Sequence, residues 1–169
     1  MRVFLTGFMG AGKTTVGRHL ARGLDWRFVD LDTEIEKTVG LGVREIFAQR
    51  GEAGFRRYES ERLASILAED NVVVATGGGT VSLEANRKMM ERAGVSVWLN
   101  PPFDEIVSRI GGQGKADRPL FPDEVSAFEL YRERLASYRS ADLRIDVARG
   151  ESAAETAARI ILRLRETMR

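Results

Sequence analysis

The stretch Gly7-Phe8-Met9-Gly10-Ala11-Gly12-Lys13-Thr14 limits what this chain can become more than any other. It follows directly on an apolar run of strand length, Val3–Thr6, and opens a pattern of helical periodicity, Lys13–Leu24. The spacing fits G-x-x-x-x-G-K-[ST], a loop that cradles phosphate when it joins a strand to a helix. Glycines at 7, 10 and 12 permit unusual backbone angles and let the main chain come close to phosphate oxygens. Its N–H groups then converge on the anion, helped by about half a positive charge at the helix N-terminus. Lys13 is expected to reach the β- and γ-phosphates as a point charge, and the Thr14 hydroxyl to coordinate magnesium. Gly10, Ala11, Gly12 and Thr15 complete the nucleotide-binding set.

The rest of the chain repeats the strand–helix rhythm. Val3–Thr6, Phe28–Val29, Val72–Ala75, Val95–Leu99 and Leu143–Val147 read as strands, short and rich in β-branched and aromatic residues. Helical periodicity covers Lys13–Leu24, Asp32–Gly40, Val43–Arg50, Gly54–Ala68, Leu83–Arg92, Phe103–Arg109, Glu124–Tyr138 and Ala153–Thr167. This alternation predicts an α/β fold: a five-stranded, mainly parallel sheet with helices on both faces. At 169 residues, the whole of 1–169 is expected to form a single domain. The exception to the rhythm is Gly111–Asp123, rich in glycine, proline and charge, which reads as a mobile lid over about residues 111–124.

Composition removes several function classes. With 26 basic against 25 acidic residues the net charge is +1, too weak a field to imply a nucleic-acid partner. Cysteine is absent, which excludes disulfides, thiolate metal sites and cysteine nucleophiles. No apolar stretch approaches the length of a membrane span, and the N-terminus lacks the regions of a signal peptide. A soluble cytoplasmic protein with no membrane partner is the expectation. His19, the single histidine, falls on the first helix and reads as a surface residue, and the C-terminal Arg159, Arg163, Arg165 and Arg169 as a solvated face.

Phosphate-loop proteins often carry a magnesium-organising aspartate after a second apolar strand. Here Val72–Ala75 runs instead into Thr76-Gly77-Gly78-Gly79, and the acids come from Phe28-Val29-Asp30-Leu31-Asp32. Of Asp30 and Asp32, one is expected to face the metal and the other an acceptor pocket. The alternative is that Asp32 caps the following helix. Gly77–Gly79 sits at the carboxyl end of a strand, where open parallel sheets bind ligands. Arg56 and Arg57 are about 100° apart on a helix, so only one can face inward. Arg132 and Arg134 precede Tyr138 on a later helix. Were Arg56 and Arg134 to converge, they would offer planar forks for a carboxylate. The residues by themselves describe a kinase for a small, anionic, hydroxylated acceptor.

With these motifs in order, the chain resembles shikimate kinase over essentially its whole length. The resemblance rests on Gly7–Thr15, Asp30-Leu31-Asp32, Ile46-Phe47 with Gly51-Glu52, Phe55-Arg56 with Glu59, and Gly77-Gly78-Gly79. Asp117-Arg118-Pro119-Leu120, Arg134 with Tyr138, and Ala141-Asp142 complete the series. It implies transfer of the γ-phosphoryl group of ATP to the 3-hydroxyl of shikimate, with magnesium as cofactor, by a monomer. It implies that Asp32 binds the acceptor hydroxyls, that Arg56 and Arg134 hold the carboxylate, and that Gly78 makes a backbone contact. Phe47 and Phe55 would line the pocket, Arg118 would swing in with the lid, Arg109 would flank the adenine, and Asp30 would join the magnesium-water network. Asp32 is either a general base or a group that orients the hydroxyl; a loose transition state, needing little early deprotonation, favours orientation. Rival readings are a gluconate or nucleoside monophosphate kinase and a nucleotide-dependent binding module.

Overall fold

The computed structural model describes residues 1–112 and 123–167. Five strands alternate with helices: β1 Arg2–Thr6, β2 Arg27–Asp30, β3 Val72–Ala75, β4 Val95–Asn100 and β5 Leu143–Asp146. They form one sheet in the order β2-β3-β1-β4-β5, with every pairing parallel. The helices are α1 Lys13–Leu24, α2 Leu31–Val39, α3 Val43–Ile66, α4 Glu84–Ala93, α5 Phe103–Gly112, α6 Glu124–Arg139 and α7 Ala153–Thr167.

Strand alternation divides the core in two. Val3, Leu5, Val73, Val97, Leu99 and Ile145 face one side, where they pack against Val16 and Leu20 of α1 and Ile160 and Leu164 of α7. Phe4, Val72, Val74 and Trp98 face the other, against Ile35, Ile46, Leu63, Met90 and Tyr138. Each fully buried aliphatic side chain contributes about 1.5–3 kcal/mol to the drive to fold. Gly17 lets α1 press onto the sheet, since a Cβ there would stand 2.5 Å from Phe28 Cε2 and 3.1 Å from Leu5 Cδ1.

The structure departs from the sequence reading at two places. The two helices expected over Val43–Arg50 and Gly54–Ala68 run together as α3, broken only at Gly51, whose φ of 68° and ψ of 178° are non-helical. Helix α2 begins at Leu31, one residue after the strand ends, so extended geometry does not continue through Asp30-Leu31-Asp32. The cap of α2 is accordingly Asp30, which accepts from the Thr33 N–H at 3.2 Å, and not Asp32. The anticipated lid, including Arg118, lies outside the described residues.

Candidate active site

The strand order explains why distant motifs meet. β3 sits between β2 and β1, so the carboxyl ends of these neighbours carry, side by side, Asp30, the turn Thr76–Gly79 and the loop after Thr6. A cavity of about 820 Å³ opens there. Its lining includes Gly10–Thr15, Asp30, Asp32, Phe47, Phe55, Arg56, Glu59, Gly77–Gly79, Arg109 and Arg134.

Along the phosphate loop, Gly7, Gly10 and Gly12 have φ of 134°, 77° and 95°, a region that side chains strain to enter. Lys13 Nζ donates to the Gly7 and Phe8 carbonyls at 2.7 and 2.9 Å, a pose that folds the ammonium over the loop. Thr14 Oγ1 donates to Asp30 Oδ2 at 2.6 Å. Arg109 stands at the rim, its Nη1 donating to the Gly10 carbonyl at 3.3 Å and its Nη2 paired with Glu105.

The glycine turn is where the acceptor-side groups converge. A Cβ on Gly77 would meet Glu59 Oε1 and lie 3.1 Å from Asp32 Oδ1; one on Gly79 would run into the Arg56 guanidinium. On Gly78 it would stand 3.5 Å from Arg134 Nη1 and 3.2 Å from Met9 N of the phosphate loop. So each glycine makes room for a different functional group, and the turn abuts the loop that would hold phosphate. Asp32, Arg56 and Arg134 therefore share one cavity. Asp30, the last residue of β2, and Asp32, in the first turn of α2, both line it.

Electrostatics single out Asp32. Burial, then the neighbouring Glu59 and Asp30 carboxylates, push its carboxyl up to about 7, against the opposing pull of Lys13 and Arg56. Its Oδ1 is buried and accepts no hydrogen bond among the described residues. A buried oxygen without a partner is costly to keep charged. Arg56 is anchored by Glu59, fully buried, at 2.5 Å, and by Glu52 at 3.1 Å. Arg134, 6% exposed, is almost wholly sunk in the protein. Phe47 and Phe55 lie with ring centroids 4.7 Å apart on the cavity wall.

Sequence reasoning gave no role to Glu59, although its position three residues after Arg56 is the spacing of an intrahelical ion pair. Thr80 Oγ1 donates to the same carboxylate at 2.7 Å, and Asn86 Nδ2 to the Thr80 carbonyl at 2.9 Å. At the far end of the cavity the lining is Val147, Glu151, Ala153 and Thr156, from the segment after β5. Arg149 is not part of that lining and pairs with Asp104. Arg57, Arg132 and His19 are exposed.

Thr14 and Asp30 fit a magnesium ion. Such an ion takes one or two protein oxygens and keeps waters and phosphate oxygens for the rest, and a hydroxyl beside a carboxylate supplies that much. A larger cluster of acidic or imidazole ligands does not occur among the described residues.

The shikimate kinase family profile matches residues 9–165. The chain is 40% identical to the shikimate kinase of Synechococcus elongatus over 94% of its own length and 84% of that protein. It is 42% identical to the shikimate kinase of Geobacter sulfurreducens, covering 97% of this chain and 91% of that one. Among solved structures, shikimate kinase from Acinetobacter baumannii in complex with shikimate superposes with a TM-score of 0.90 at 35% identity, covering 99% and 94% of the two chains.

Proposed function

The chain belongs to the shikimate kinase family, and from that premise we propose that it transfers the γ-phosphoryl group of ATP to the 3-hydroxyl of shikimate. The products are shikimate 3-phosphate and ADP, on the way to chorismate and the aromatic amino acids. The observation that carries this reading is the convergence of Asp32, Arg56 and Arg134 on the Gly77–Gly79 turn, directly beside the phosphate loop. Shikimate has one carboxylate and three hydroxyls, and two guanidiniums and a buried carboxylate oxygen complement that pattern.

Phosphoryl transfer goes through a loose transition state, so positioning and charge stabilisation supply most of the rate. The loop amides and Lys13 hold the oxygens of the transferring group; to do so, Lys13 exchanges its two carbonyl partners for phosphate. Thr14 and Asp30 would hold magnesium, which offsets phosphate charge when bound. Arg56 and Arg134 grip the carboxylate at one end of the ring. Asp32 accepts from the hydroxyl to be phosphorylated and aims its oxygen at the γ-phosphorus, and its raised pKa also suits it to take up the proton as the bond forms. Arg109 and the segment lining the far end flank the adenine. The enzyme works as a monomer in the cytoplasm in this reading. No described helix is long and apolar enough to cross a membrane.

A coupled ADP-release assay with magnesium and ATP tests the acceptor. Shikimate should be turned over at least a hundredfold more efficiently than gluconate or AMP. Equal turnover on all three would remove the specificity claim and return the chain to the broader class of phosphate-loop kinases.

A further inference from the structure

Behind the acceptor pocket lies a group outside the cavity lining. Tyr138, on α6 one turn beyond Arg134, is fully buried, with its ring stacked 6.1 Å from that of Trp98. Its hydroxyl donates a 2.6 Å hydrogen bond to the Gly78 carbonyl. A buried phenol needs some partner, yet this one is the middle residue of the glycine turn. A trans peptide is planar and points its C=O and N–H in opposite directions. Fixing the Gly78 oxygen therefore fixes the direction of the Gly79 N–H. Neither the Gly78 nor the Gly79 N–H finds an acceptor among the described residues, and both glycines line the cavity.

The same hydroxyl also bears on the carboxylate arginine. Burial raises the Tyr138 pKa strongly, and the Arg134 guanidinium opposes that rise by its charge and by hydrogen bonding. One phenol thus fixes the peptide on one side of the carboxylate site and stands on the same helix four residues from the buried Arg134. Three consecutive glycines have more conformational freedom than any other tripeptide and no side chains to pack. An outside clamp is what such a turn requires if its amides are to serve as preorganised donors.

We propose that Tyr138 is a positioning residue for the acceptor carboxylate, holding the Gly78–Gly79 peptide so that its amide meets the carboxylate alongside the Arg134 guanidinium. This rests on the acceptor reading above, since it presumes that a carboxylate binds here.

Tyr138→Phe removes the hydroxyl and keeps the ring on Trp98. Steady-state kinetics would compare shikimate with its analogue in which the carboxylate is replaced by a primary alcohol. Loss of one net hydrogen bond's worth of organisation predicts a three- to tenfold rise, roughly, in KM for shikimate. KM for ATP and kcat should stay within about twofold, and KM for the alcohol analogue should not move. Leu164→Ala, in the core on the opposite side of the sheet, serves as a control for instability alone and should leave KM for shikimate unchanged. An unchanged KM for shikimate in Tyr138→Phe would overturn the proposal, and so would equal losses with both acceptors. A wild-type enzyme inert toward shikimate but active on another acceptor would instead overturn the acceptor reading, taking the premise with it.

Discussion

Replacing Arg56 by alanine separates two tasks held by one guanidinium. In the folded chain Arg56 neutralises Glu59, whose carboxylate is fully buried, and in the proposed complex it holds the acceptor's carboxylate. Removing one partner of a buried ion pair costs about 3–5 kcal/mol, because the other charge is left without compensation. Thr80 Oγ1 still donates to Glu59, so the lower end of that range applies, and a chain of this size should lose on the order of 10 °C in unfolding midpoint. On the binding side, each charge-assisted hydrogen bond lost is worth about 1.5–3 kcal/mol, so shikimate affinity should fall by roughly a hundredfold or more. ATP affinity should change by less than about twofold, since Arg56 touches none of the loop. The assay is calorimetric titration of each ligand well below the unfolding midpoint, with a non-hydrolysable nucleotide for ATP. The double variant Arg56→Ala/Glu59→Gln divides the effects: neutralising Glu59 should restore most of the stability and none of the shikimate affinity. If ATP affinity fell as far as shikimate affinity in the single variant, or if the double variant regained shikimate binding, Arg56 would be a structural residue and the pocket assignment wrong.

Two further substitutions probe neighbouring parts of the site. Gly79→Ala introduces a Cβ where the Arg56 guanidinium now lies, at a backbone φ of −107° that alanine tolerates; KM for shikimate should rise at least about tenfold while the unfolding midpoint shifts by only a few degrees, and an unchanged KM would mean that Arg56 does not act from its present position. Asp30→Asn keeps an oxygen to cap α2 but loses the charge beside Thr14; the magnesium concentration for half-maximal rate should climb about ten- to a hundredfold, and a flat magnesium profile would remove Asp30 from the metal's surroundings.

Much of this molecule could be read from order along the chain, because some of its physics is local. A strand feeding a glycine loop and a helix N-terminus is one continuous stretch, so the phosphate cradle, Lys13 and Thr14 were legible before any tertiary contact was known. The five strands follow from short β-branched runs such as Val72–Ala75, and no end shifted by more than one residue. Other features depended on where α2 begins. Because α2 begins at Leu31, the residue just before it is Asp30, which is why Asp30 and not Asp32 caps the helix while both carboxylates line one cavity. Convergence of Arg56 with Arg134 could be named only through resemblance, since their helices are far apart in sequence and no spacing rule spans that gap. Tertiary packing decided it, by bringing both guanidiniums against the glycine turn that follows β3. Burial decided the remainder. Glu59 reads along the chain as one more helical acid, and Tyr138 as one more aromatic. Each gains its role from what encloses it, because a charge or hydroxyl cut off from water must bind the few groups within reach, here the acceptor arginine and the glycine turn.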